Sequence, residues 1–133
     1  MLHRLMRRPL LLLALPAAAA VVVACGTEDL ELAKSDPDYR GAQLFVERCS
    51  GCHTLKAAGT QGSAVKANKR EYKDGPNFDQ RKETKENVLY AIRNGGYSSG
   101  PMPQNIVVGE DAEAVAEFVA KYSGTEREET ETP

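Results

Sequence analysis

The chain has 133 residues, with 17 Lys+Arg against 19 Asp+Glu, enough for one small domain. Its acidic balance argues against nucleic-acid binding, where a basic domain is expected. There is no Trp, and only three Phe and five Tyr, so a core built from this chain alone is thin and calls for a staple.

Residues 1–24 read as a targeting segment. Arg4, Arg7 and Arg8 form a positive start, Leu10 to Leu15 an apolar run, and Ala17 to Ala24 a continuation in small residues. The run is short and Pro16 interrupts it, which suits a signal peptide better than a spanning helix. The stretch ends Val22-Val23-Ala24-Cys25-Gly26 and resembles the bacterial lipobox. That resemblance implies cleavage before Cys25 and a lipid on its thiol. Ordinary secretory cleavage, with Cys25 left as a free thiol, is the competing reading.

From Cys25 onward the chain holds 14 Lys+Arg against 19 Asp+Glu, a net charge of −5. The charge is uneven: residues 56–85 carry eight basic and four acidic side chains, and the remainder is −9. A solvated surface accounts for this. So does a dipolar molecule that steers its docking.

Residues 25–37 read as a lipid-bearing N-terminus and polar tether, at most about 40 Å long when residues 26–36 are extended and about 20 Å as coil. A domain is expected over 38–124. Its first helix starts near Asp36-Pro37, with Asp36 as cap and Pro37 at the first helical position. Tyr39, Ala42, Phe45 and Val46 recur at helical spacing, and the helix runs into Cys49.

The next residues are Cys49-Ser50-Gly51-Cys52-His53. In Cys-x-x-Cys-His, two thiols add to the two vinyl groups of one haem, and the adjacent histidine ligates the iron. Two other readings compete. A redox dithiol is expected beside a β-α-β pattern, and no such pattern is visible. A structural zinc site wants four Cys or His ligands. With Cys25 lipidated, this motif offers three.

Residues 61–73 are polar and rich in Lys, and read either as a plain surface loop or as a border to the haem edge. A second helix fits Thr84 to Asn94, with Thr84 as cap, Val88, Leu89 and Ile92 on its apolar face, and Gly95 as its stop. A third fits Glu110 to Tyr122. Glu110, Asp111 and Glu113 favour its positive end, Val115, Phe118, Val119 and Tyr122 form its buried stripe, and Gly124 ends it. No convincing strand is visible. The tail, 125–133, is short and acidic and reads as disordered.

Residues 38–123 resemble the class I monohaem cytochrome c domain of bacteria. Cys49, Cys52 and His53 match the attachment motif. Gly41 and Phe45 match the helix before it, and Phe118 an aromatic of the last helix. Gly75-Pro76-Asn77-Phe78 looks like the Gly-Pro-Asn-Leu turn of that family, Ala91 to Gly95 like the segment before the distal ligand, and Pro101-Met102-Pro103 like the distal methionine loop.

The resemblance implies a small all-α fold of three to four short helices around one covalent haem c. It implies thioethers to Cys49 and Cys52, iron between His53 and Met102, and the Pro76 carbonyl accepting a hydrogen bond from His53. His/Met ligation closes both axial positions and raises the potential, which favours electron transfer. The expectation is therefore a non-enzymatic single-electron carrier, a monomer, held by lipid on Cys25 at the outer face of a bacterial cytoplasmic membrane. Redox partners of the kind implied are a quinol-oxidising cytochrome complex and a terminal oxidase. The alternatives are a haem-based ligand sensor and a cytochrome subunit of a larger oxidoreductase. Tyr72, Arg81, Tyr97 and Asn105 are candidate partners for the haem propionates.

Overall fold

Helix α1 spans Tyr39–Arg48, two residues later than Pro37 suggests. The reason is local. The Asp36 carboxylate accepts the Asp38 N–H at 2.8 Å and so closes a turn ahead of the helix instead of capping it. The computed structural model describes residues 30–126 apart from 31 and 65. The stretch read as a signal peptide, Cys25 and most of the acidic tail lie outside the described residues. Leu30 and Leu32 pack against the core, so part of the stretch read as tether belongs to the folded domain.

Helix α2 spans Lys85–Asn94, with the Thr84 hydroxyl accepting the Asn87 N–H and Gly95 closing the helix at φ 75°, as its caps predict. Helix α3 spans Gly109–Tyr122. After it, Gly124 donates its N–H to Phe78 O, and Glu126 to Asp79 O. A two-stranded antiparallel ladder adds β1 (Thr54–Leu55) and β2 (Thr60–Gln61), paired Thr54 to Gln61 and Leu55 to Thr60. It is too short to show as alternation in the sequence. Among the described residues no helix is long and apolar enough to cross a membrane.

Helix α3 packs on both α1 and α2. The α1–α3 crossing depends on Gly41. A Cβ there would lie 2.3 Å from Ala114 O and 2.7 Å from Phe118 Cβ, so only glycine allows the approach. All three phenylalanines meet beside this crossing. Phe45 stands edge-on to Phe78 at 6.0 Å and to Phe118 at 6.1 Å, the T-shaped geometry that ring quadrupoles favour.

At the other end of α3, the Asp38 carboxylate accepts from Lys121 Nζ and, at 3.1 Å, from Tyr122 Oη. The Lys121 bond, foremost, holds the Asp38 carboxyl below its ordinary value of 3.8.

Two outcomes follow from this packing. Gly41→Ala is expected to cost about 1–3 kcal/mol by overpacking, read as a fall of several degrees in the melting temperature; an unshifted melt would contradict the close crossing. Asp38→Asn removes a stabilising charge that is fully present above pH 3.8 and lost as pH falls through the lower folded value. Wild type and variant should therefore differ in urea stability at pH 7 and converge in strong acid. A constant gap between pH 7 and pH 2 would assign the difference to something other than this carboxylate.

Candidate haem-binding site

The end of α1 delivers the cysteine motif. Its last turn continues through Cys49, whose carbonyl accepts the N–H groups of Cys52 and His53 at 3.1 and 3.0 Å. The chain then runs extended, held on two sides. On one side Gly62 N–H and the Thr60 hydroxyl both donate to His53 O, at 3.2 Å each. On the other, Gly75 N–H donates to Cys52 O at 2.8 Å, and Phe78 N–H to Thr54 O at 2.9 Å. Segments 60–63 and 75–78 thus clamp the backbone that carries the histidine.

The His53 ring is itself gripped. Its face stacks on Phe78 at 4.8 Å and 9°. Its Nδ1 lies 3.1 Å from Pro76 O. A carbonyl only accepts, so Nδ1 must carry the proton, and the neutral ring keeps its lone pair on Nε2. Burial favours this neutral form and lowers the imidazole pKa, opposed in part by the Pro76 bond. Against the same ring lies Gly75, where a Cβ would fall 2.2 Å from Cε1 and 2.5 Å from Nδ1.

His53 lines a cavity of about 640 Å³, together with Cys49, Cys52 and Met102. That volume is in the range of cofactor sites. Its walls include Phe45, Phe78, Val88, Ile92 and Val119. Cys49 and Cys52 are free thiols, and burial, foremost, pushes the Cys49 thiol up to about 12. Among the described residues no three His, Cys, Asp or Glu side chains converge as an ion site, so the motif lacks the donor set of a zinc centre. Two thiols, an imidazole with a bare Nε2 and a thioether on one apolar cavity are the donor set a c-type haem uses.

Met102 sits on a loop tied to α2 just after it. Asn105 N–H donates to Ile92 O at 2.7 Å, with Asn105 itself at φ 54°. Gln104 Nε2 donates to Asn94 O at 3.3 Å. Before the loop, Gly95 and Gly96 take φ 75° and 88°, and a Cβ on Gly95 would fall 2.9 Å from Met102 O.

Of the residues considered for propionates, Tyr72, Arg81 and Tyr97 line the cavity, whereas Asn105 lines a separate depression. Arg81 is paired to Glu83 at 2.6 Å, and the Tyr97 hydroxyl donates to Asn87 O. Segment 61–73 is more than a plain surface loop. Thr54 and Ser63 exchange three hydrogen bonds of 3.1–3.2 Å, and a Cβ on Gly62 would lie 2.0 Å from Ser50 O. Sequence reasoning missed Gly62 and the cavity-lining Arg48 and Glu83, because their contacts leave no periodic trace.

Gly75→Ala is expected to displace the His53 ring and cost about 1–3 kcal/mol, whereas Gly51→Ala, with nothing within 4 Å of the added carbon, should be tolerated. Thermal melts and the His53 ring resonances test this pair; equal behaviour of the two variants would show that the ring is not held against Gly75.

The cytochrome c family model matches residues 39–123. Among solved structures, the c-type cytochrome SorU from Sinorhizobium meliloti is similar, at 37% identity and a TM-score of 0.52, over 65% of this chain and 91% of that one. Comparison with curated proteins returns no match. The motif, the cavity and the helix crossing therefore have one common explanation: this chain belongs to the cytochrome c family, small all-α proteins that carry electrons on haem c.

Proposed function

We propose that this protein is a non-enzymatic single-electron carrier with one haem, bound through Cys49 and Cys52 and ligated by His53 and Met102. The observation that carries the reading is that these four side chains line one apolar cavity. The bound haem supplies an iron that cycles between Fe(II) and Fe(III).

The chain's own residues do the rest. Pro76 O holds the proton on Nδ1 and leaves Nε2 free to ligate, and the polarised Nδ1–H raises the basicity of the ring. Phe78 and Gly75 fix the ring plane. Pro101, Pro103 and the bonds at residues 104–105 present the Met102 thioether from a stiff loop, so a weak ligand needs little bond strength to stay in place. The apolar walls exclude water. With His53 and Met102 both holding the iron, no open position would remain for a substrate, which would favour electron transfer over sensing or catalysis.

The lipobox resemblance around Cys25 supports a membrane-anchored carrier. Lipid on Cys25 would hold the domain at the outer face of the bacterial cytoplasmic membrane through the stretch before residue 30. One acyl-bearing residue on a short tether favours lateral movement between membrane partners, such as a quinol-oxidising cytochrome complex and a terminal oxidase.

The test is an absorption spectrum of the protein exported by a host that attaches haem c. A sharp reduced c-type spectrum is expected, with the weak long-wavelength band of a methionine–iron(III) bond when oxidised. Met102→Ala should lose that band, lower the reduction potential and gain carbon monoxide binding in the reduced state. A wild-type spectrum without the band would replace the carrier reading with that of a ligand-binding module.

A further inference from the structure

Asp74 and Glu83 are the carboxylates on the cavity wall, and they are used differently. The Asp74 side chain is 4% exposed. It accepts from Ala64 N–H and Glu71 N–H at 3.2 and 3.0 Å on Oδ2, and from Lys73 Nζ at 3.3 Å on Oδ1. Both its oxygens are engaged in closing segment 61–73. The Glu83 side chain is 6% exposed, and its carboxylate has one partner among the described residues, Arg81, whose Nε lies 2.6 Å from Oε1.

That pair is uneven in depth. Arg81 is 53% exposed, so water screens the cation far more than the anion. Glu83 stands on the wall with Val88, Ile92 and Val119, where burying a charge is costly and an apolar side chain would pack without that cost. Its backbone is pinned as well. Glu83 N–H donates to the buried Ser123 Oγ at 3.0 Å, and Lys82 Nζ donates to Ser123 O at 3.1 Å. Thr84, next in the chain, caps α2. The start of α2 is thereby tied to the end of α3, and Glu83 is fixed between them.

We propose that Glu83 sets the reduction potential of the bound haem, holding it down by favouring Fe(III). The inference rests on the electron-carrier reading above and adds to it a residue that selects donors and acceptors by their potentials. One electron converts Fe(III) to Fe(II) and removes one positive charge from the haem. A fixed negative charge in the apolar wall stabilises the more positive state, and local charge and burial are levers on haem potential. Glu83 thus works against the Met102 ligand, which raises the potential. Arg81 offsets part of the effect from the solvent side.

The test is an optical redox titration at pH 7 of the full haem-loaded protein, wild type beside Glu83→Gln, Glu83→Asp and Glu110→Gln. Glu83→Gln should favour reduction about tenfold, a rise of about 59 mV for one electron. The rise should persist in about 0.5 M salt, because a buried charge is screened little. Glu83→Asp keeps the charge and should stay near wild type. Glu110 is exposed, so Glu110→Gln should move the potential far less, and salt should erase its effect. A purely structural Glu83 predicts the opposite sign: a loosened wall admits water, which stabilises Fe(III) and lowers the potential.

An unchanged or lowered potential in Glu83→Gln would overturn the proposal. So would a rise that salt erases, or one that Glu83→Asp or Glu110→Gln matches. If Glu83→Gln does not fold, Arg81→Gln decides. Uncovering the anion should lower the potential, and Arg81→Lys should restore it; no fall, or no restoration, would overturn the proposal. If wild type takes up no haem or shows no reversible one-electron couple, the carrier reading itself fails. A normal wild-type couple that Glu83→Gln leaves unmoved sinks the role of Glu83 alone.

Discussion

Everything in this domain is arranged around the orientation of one buried imidazole. His53 is stacked on Phe78, bonded to Pro76 O and pressed against a glycine that has no room for a Cβ. A ring held on its face, at its Nδ1 and at its edge has one tautomer and little freedom. That is the condition for a metal-binding nitrogen to be ready before any metal arrives.

The helices serve that arrangement at second hand. Gly41 lets α1 and α3 cross closely enough for Phe45 and Phe118 to be fully buried, and Phe45 then meets Phe78 edge-on. The aromatic cluster therefore links the helix crossing to the histidine ring. In a chain with no Trp, three phenylalanines do the packing that a larger core would spread over many residues. The apolar cavity beside them explains how so small a core persists: a bound haem supplies the surface that the side chains do not.

Segment 60–75 adds a second support. It pairs with the motif through Thr60, Gly62 and Ser63 and returns to it at Gly75. Its Asp74 points inward and takes part in structural bonds, whereas Glu71 and the cations of the segment are exposed. One stretch of chain thus both steadies the histidine and places charge at the mouth of the site.

The sequence by itself determined the parts whose signals are local. The five-residue motif announces haem because two thiols and an imidazole at that spacing have few other uses. The caps of α2, the apolar stripe of α3 and the Gly-Pro-Asn-Phe turn are short-range patterns, and each lies where its pattern puts it. Sequence periodicity did not mark the two-residue ladder, the grip of Gly62 and Gly75 on the motif, or the inward turn of Asp74. It also could not separate Arg48 and Arg70, at the cavity, from Lys66 and Lys69, away from it. Those are contacts between residues distant in the chain, where a missing Cβ or a buried carboxylate has meaning only against the atoms that folding brings beside it. Residue type fixed the chemistry available, and tertiary packing decided which atoms face the cavity and which face solvent.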